Sequence, residues 1–580
     1  MFSKYYQSEL TYLREMGRAF GTVNPALAGL LVERGGDPDV ERLLEGFAFL
    51  TARVRERIDD AVPEVVHGLT DLLLPHYLRV IPACSVVEFT PHARLLRGRS
   101  RIPAGAEVGA RPVDGTACTF RTTRAVDLLP LTLSETTLDQ SSPASPVLRV
   151  QLQVAEQGRS EIFQEEGLSL FLQAELPVAS VLLLWLMRHC KGVVLRNPAG
   201  GAPVRLPPDC IRATGFEPDN VLLPWPAMAP EGYRLLQEYF TLPQKFLFID
   251  VRGLQAAAGL TGQRLELLFE FERPPALPGR LPKDVFRLHC APVVNLFSAS
   301  ADPVRTGALG HEHLVRASSV DPAHMEVYSV DGVTGLQSGR TERQQYRPFF
   351  DFAHATGDSP RFYRLRRALS PLDDALDVFL SLGSPRDATP SLADETLSID
   401  LTCTNRSLPA RLQVGDLSAP TASSPTTARF RNIVAVTRPV RPPVGSELHW
   451  RLLSHLSLNQ RSLLEPGALQ AVLSLYNFQA TADQPTARAN ELRVGSLREI
   501  KGQPVTRFLR GAPVRGVQVT AELDEAGFTG PGDAFLFGCI LDEMFASQVS
   551  LNSFSEFVLR LQPSQLEYRW SPRNGRQMIC

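Results

Sequence analysis

The stretch DPDVERLLEGFAFLTARVRERIDDAVPEVVHGLTDLLLPHYLRVIPACSVVEF, Asp37 to Phe89, decides the fold, because two helices and the entry to a strand-rich body follow one another in it without a gap. Asp37 is a good N-cap, Pro38 suits the first helical position, and Asp39 and Glu41 put negative charge where the helix dipole is positive. Leu43, Phe47, Leu50, Val54 and Ile58 recur at helical steps, with Arg42, Arg53, Arg55, Glu56 and Arg57 mostly off that line. The spacing predicts one apolar stripe and one charged face on a helix that, run to Asp60, is roughly 34 Å long at about 1.5 Å per residue. Pro63 opens a second helix carrying Val66, Leu69, Leu72 and Leu73, which Pro75 ends.

Upstream, Tyr6, Leu10, Leu13 and Phe20 share a helical face that Asn24-Pro25 breaks before Gly35-Gly36. Residues 1–82 therefore read as a helical, bundle-forming module. From Cys84 the period changes to two. SVVEFTP, the run from Arg101 to Val108, VLRVQLQV (Val147 to Val154), LFLQAEL, GVVLRN, FLFIDV (Phe246 to Val251) and LELLFEF (Leu265 to Phe271) are strand-like, with helices expected at Ala179 to His189 and Gly232 to Phe240. This makes 83–285 a β-rich middle domain. Residues 286–395 read as a mixed α/β connecting region, with a strand and turn at VYSVDG and a polar bridge at SPRFYRLRRAL. Residues 396–580 read as a C-terminal α+β domain. It opens on a strand from Leu397 to Thr404, has a helix from Trp450 on, and continues with strand-like VQVTAEL and LFGCIL, a helical stretch through Phe545 and a last strand with Phe557 and Leu559. The segment from Leu417 to Arg429, LSAPTASSPTTAR, is expected to be an exposed, mobile loop. The fold class is α+β: an N-terminal helical module followed by β-rich wing domains with a few interspersed helices.

At 580 residues the chain can bury large cores without staples. Sixty basic against sixty-two acidic residues give a formal charge of −2, so no global field draws it to nucleic acid or to an anionic membrane. Only five of the cations are lysines; arginine, whose planar fork pairs carboxylates bidentately, is the better interface cation. Eight scattered cysteines without a CxxC fit buried free thiols in a reducing compartment. The N-terminus is a charged amphipathic segment unlike a signal peptide, and the most apolar run, Val178 to Met187, is about half of a membrane span. The chain reads as cytoplasmic, without direct membrane insertion.

No lysine precedes Ser or Thr, which excludes a Walker A loop, and HExxH, GxSxG and a strand-borne GxGxxG are absent. His311 and His313 in GHEH offer two imidazoles with no further ligand nearby, so a solvated loop is the expectation and no metal or cofactor is assigned. Adjacent Asp59 and Asp60 point in different directions on a helix and read as helix-end solvation or pairing with nearby Arg57. His289 and Cys290 would point to opposite faces of a strand, which makes Cys290 a core thiol rather than a nucleophile. The stripe from Leu43 to Ile58 admits two readings, packing on its own domain or packing against helices of other chains. Tyr5, Tyr6 and Tyr12 leave the same choice open.

The chain resembles the TssF family, also called VasA or ImpG, of the bacterial type VI secretion system. The resemblance rests on Tyr5-Tyr6, Glu9-Leu10 and YLRE (Tyr12 to Glu15), then DPDVERLLEGFAFLTARVR (Asp37 to Arg55) and PHYLR (Pro75 to Arg79). It continues through GYRLLQEYF (Gly232 to Phe240) with PQKFLF, CAPVVNLF (Cys290 to Phe297) and EVYSV (Glu326 to Val330). LTCTNRSLP (Leu401 to Pro409), RPP (Arg441 to Pro443), WRLLSHLSLN (Trp450 to Asn459), FLFG (Phe535 to Gly538) and LNSF (Leu551 to Phe554) complete it. It implies a structural subunit of the baseplate wedge and no enzyme. The partners implied are one TssG with a second copy of this chain, TssE and TssK, and indirectly the VgrG hub and the sheath that the baseplate primes. The docking place implied is the cytoplasmic face of the inner membrane. It also favours the inter-chain reading of Leu43, Phe47, Leu50, Val54 and Ile58. The alternatives are a baseplate scaffold of another contractile particle or prophage tail and, remotely, a cytosolic hydrolase.

Overall fold

The computed structural model describes residues 6–16 (Ser8 apart), 38–59, 70–154 (apart from 72–73, 93–95, 97 and 143–144) and 167–306 (apart from 227–228, 261–262 and 278–280). It further describes 312–349 (apart from 319–320 and 338–342), 361–383 (apart from 371–374), 395–442, and 462–575 (apart from 482 and 510–511). The second helix expected after Pro63 and the helix expected from Trp450 lie largely outside these residues. Helix α1 spans Pro38–Asp59. The turn Pro75–Leu78 follows, with His76, Tyr77 and Leu78 buried.

The strand Cys84–Pro91 is the hub of a five-stranded antiparallel sheet ordered 428–432, 84–91, 290–294, 119–122, 107–109. Its members come from the expected middle, connecting and C-terminal regions, so pairing crosses the positions 285/286 and 395/396 read from the sequence. The segment 415–419 joins the two edges of this sheet. Gly415 N donates to Asn432 O at 3.1 Å, and Gly109 and Ala419 exchange two backbone bonds of 3.0 Å. The loop expected to be exposed and mobile is therefore pinned. Leu417 is fully buried in the core between these strands, Thr421 and Ser423 donate to Glu107 Oε2, and Ser424 Oγ donates to Glu107 O at 2.8 Å. Hydroxyls that composition reads as solvent-facing find acceptors on a neighbouring strand.

A second five-stranded sheet runs 204–206, 190–196, 264–271, 147–154, 131–139, and a four-stranded one 211–214, 248–252, 167–172, 286–287. Val147–Val154 alternates half-buried and buried at every residue, as its period-two sequence demands. Five helices accompany these sheets and the C-terminal one: α2 (Leu176–Arg188), α3 (Glu231–Thr241), α4 (Pro466–Leu475), α5 (Gln484–Gly495) and α6 (Pro531–Ser547), with α6 packed against both α2 and α3, and α5 against α4. Helix α6 takes in LFGCIL, expected as a strand. A short apolar run does not reveal its period, and Gly530-Pro531 starts a helix that is buried on nearly all sides. Gly532 lets α6 lie against the backbone of Ser180 and Val181, where a Cβ would come under 3.0 Å.

Residues 297–404 build an eight-stranded sheet that closes on itself. Its edge strands, Phe297–Ser300 and His313–Val315, are joined by Asp302 N to Arg316 O at 2.8 Å and Ser318 N to Ser300 O at 2.9 Å. Two expectations change here. VYSVDG does not turn but runs on through Glu326–Gln337 with two bulges, and the polar bridge SPRFYRLRRAL holds the strand Phe362–Leu369. Arginines such as Arg364 and Arg366 occupy strand positions that face outward from a closed sheet, so polarity there does not exclude a strand. Among its described residues, 286–395 carries strands and one 3-10 turn rather than a mixture of helix and strand. The last sheet pairs the long hairpin Leu497–Leu509/Ala512–Asp524 in parallel with Phe554–Gln562, followed by 567–569.

Candidate protein interface

Helix α1 presents two unlike faces. Ala48 and Ala52, one turn apart, are fully buried, while Leu43, Phe47 and Leu50 on the other side are 73%, 60% and 62% exposed. At 100° per residue the three large side chains fall within about 60° of one another, and the alanines sit roughly opposite. The small face is turned inward and the large apolar stripe outward. Arg42 and Asp39 pair at 3.8 Å while more than four-fifths exposed, an arrangement that adds little stability. Val54 and Ile58 follow at the same spacing in the sequence, and their side chains lie outside the described residues, as does Tyr5. Tyr6 is half-buried and Tyr12 is 57% exposed on the short N-terminal helix.

The body contains buried charge, and its groups are partnered. The motif GYRLLQEYF forms α3, where Arg234 Nη1 donates to Glu238 Oε2 at 3.0 Å and Lys245 reaches the same oxygen, all three side chains being no more than 2% exposed. Glu238 Oε1 accepts from Leu222 N at 2.7 Å, and Arg234 Nη2 donates to Phe216 O at 3.1 Å. Burial pushes Lys245 down to about 8 despite Glu238 beside it. Gly232 of the same motif leaves room for Met544 and Ser547 of α6. Asp533, in the first turn of α6, accepts from Arg493 of α5 at 3.1 Å and from Thr529 N at 3.2 Å. These groups tie α3 to the loop that precedes it and to the turn Pro243–Phe246, and α5 to α6. An Arg and a Glu four residues apart are visible in the sequence, but nothing there tells that Lys245 folds onto them.

Cys290 is buried at the start of its strand, its Sγ bonding Leu288 O at 3.2 Å, and burial pushes its thiol well up. His289 lies just before the strand at φ 55°. Its Nε2 accepts from Leu129 N at 3.1 Å, and burial pushes it down to about 4. The two do not form a nucleophile and base. His313 sits in a strand opposite Leu380, whereas His311 and Asp60 lie outside the described residues, as does the Asp59 side chain. Among the described residues no three His, Cys, Asp or Glu side chains converge to hold a metal, and no helix is long and apolar enough to cross a membrane.

A layered core with buried charges paired internally, together with three large apolar side chains open along one helix, defines the class of subunits built for assembly. The family described as "Type VI secretion system, TssF" matches residues 1–577. The chain is 32% identical to the type VI secretion system component TssF1 of Pseudomonas aeruginosa, over 99% of its own length and 98% of that protein. It is similar to a chain of the TssK-TssF-TssG baseplate subcomplex revealed by cryo-electron microscopy, with a TM-score of 0.79 and 34% identity, covering 93% of this chain and 99% of that one. A chain of the baseplate complex from the type VI secretion system aligns over the whole of both chains with a TM-score of 0.64 and 28% identity. The chain belongs to the TssF family and is a type VI secretion baseplate component.

Proposed function

We propose that this chain is a structural building block of the baseplate wedge, assembling with one TssG and a second copy of itself and contacting TssE and TssK around the VgrG hub, so that the assembly primes the sheath. The observation that carries the reading is the outward stripe of Leu43, Phe47 and Leu50 on α1, opposite the buried Ala48 and Ala52. These three side chains span about 10 Å of the helix at about 1.5 Å per residue, suited to packing against helices of neighbouring chains, and the reading assigns Val54 and Ile58, which follow at the same spacing in the sequence, to the same seam. Apolar burial drives such an association, and the charged flank sets partner and register. The similar solved chain stands in a subcomplex with TssK and TssG, which supports those two partners here. The reading assigns no reaction to the chain, places it in the cytoplasm at the inner membrane through the baseplate, and gives Tyr5 and Tyr6 a place at the same interface.

Mass measurement of the chain co-expressed with its own TssG tests the reading. A heterotrimer of two copies to one TssG is expected. A chain that stays solitary with TssG present in excess would refute it.

A further inference from the structure

The hairpin Leu497–Leu509/Ala512–Asp524 outruns its own sheet. Phe554–Gln562 begins to pair with it at Gly516, so the rungs Thr506/Arg515, Arg507/Val514, Phe508/Pro513 and Leu509/Ala512 have no third strand beside them. Four rungs carry the tip roughly 13 Å beyond the sheet at about 3.3 Å per residue. A lone two-stranded ribbon is marginal in water. This one nevertheless presents Phe508 at 79% exposure, the most open large apolar side chain among the described residues, and Leu551 at 54% near the same end.

The base of the ribbon is held firmly. Gly516 lies flush on Phe554, where a Cβ would come under 3.0 Å of its ring. Arg507 pairs with the nearly buried Glu556 at 3.0 Å, and Ser553 Oγ donates to Arg515 O at 2.8 Å. The direction in which the tip points is thus set by the fold.

From Ile500 to Ala521 there is no carboxylate, and the charged residues are Lys501, Arg507, Arg510 and Arg515. Lys501 is paired with Glu499 at 2.6 Å and Arg507 with Glu556, which leaves Arg515, exposed and on the same face of the ribbon as Phe508 because it stands opposite Thr506 while Phe508 stands opposite Pro513, to give the tip its positive charge. One open cation is too few for a phosphate backbone, whereas a projecting Phe beside an Arg has the composition of a protein-interface anchor. We infer that the ribbon is a docking arm for a neighbouring protein subunit whose receiving surface is acidic and holds an apolar socket for Phe508. The inference rests on the proposed function in taking that neighbour from the same assembly, and it uses a surface remote in sequence from α1.

The test uses the full chain as wild type, Phe508→Ser, Arg515→Glu and Leu50→Asp, each titrated with purified cognate TssG, TssK and TssE, with phosphatidylglycerol vesicles and with duplex DNA. One of the three proteins is expected to bind wild type, weaken by about tenfold or more with Phe508→Ser and with Arg515→Glu, and weaken further with added salt. That binding is expected to survive Leu50→Asp, which separates failure of the arm from failure of the α1 seam. The inference is overturned when both ribbon variants bind every protein as wild type does, when no protein binds wild type, or when the ribbon-dependent ligand is the vesicle or the DNA.

Discussion

Replacing Leu50 by Asp sets the outward stripe against the stability of the chain itself. Full burial of a Leu or Phe side chain contributes about 1.5–3 kcal/mol. Leu43, Phe47 and Leu50, with 73%, 60% and 62% of their surface still open, each have about 1–2 kcal/mol left to gain in a seam. Together they could supply about 3–6 kcal/mol before ordering costs, enough to shift an association constant by roughly two to four powers of ten. Leu50→Ala removes about 1–2 kcal/mol of this, and Leu50→Asp also buries an unpaired carboxylate on association. In the isolated chain the same position is open to water, so the variant should keep its urea midpoint, within about 0.5 kcal/mol. Ala48→Asp, two residues away on the fully buried face, should do the reverse and destabilise the chain. The assay is affinity co-purification with TssG beside urea unfolding of each variant alone. Heterotrimer recovered in normal yield from Leu50→Asp, or a Leu50→Asp chain that unfolds as easily as Ala48→Asp, would refute the reasoning.

Three further outcomes follow from the core. Glu238→Gln leaves Arg234 and Lys245 buried without their carboxylate and should cost about 3–5 kcal/mol, read as a lowered urea midpoint. Gly532→Ala drives a Cβ into the backbone of Ser180 and Val181, forcing α6 away from α2 at a cost of about 1–3 kcal/mol, and a crystal structure of the variant would show the displaced helix. His289 has an ordinary value of 6.5 and is held near 4 by burial, so on acidification the unfolded chain takes up a proton across that window that the folded chain refuses. Its contribution is present above about 6.5 and falls by about 3 kcal/mol as the pH drops to about 4. His289→Gln, which can still accept from Leu129 N, should flatten that part of the pH–stability curve, and an unchanged slope would count against the assignment.

Much of the local structure was legible. The four-three-four-four spacing from Leu43 to Ile58 and the alternation in VLRVQLQV each report a period, and period is a property of neighbouring residues alone. LFGCIL and SPRFYRLRRAL misled for the complementary reason. A helix buried all round has no polar face to betray its pitch, and a strand rich in arginine looks like a linker until a sheet stands behind it. The Lys245 contact to α3 had no signal beyond a lone lysine in an apolar stretch.

What the sequence by itself determined is the α+β class, the place and length of α1, the one-sidedness of its stripe and, through motifs spread along the chain, the family. What only the tertiary structure decided is which strands meet across hundreds of residues, that 415–419 joins two sheet edges, that the hairpin overshoots its sheet, and that α1 turns its alanines inward and Leu43, Phe47 and Leu50 outward. The physical reason is range. A periodic pattern records that a helix has two faces, but which face meets water depends on what the rest of the chain places beside it.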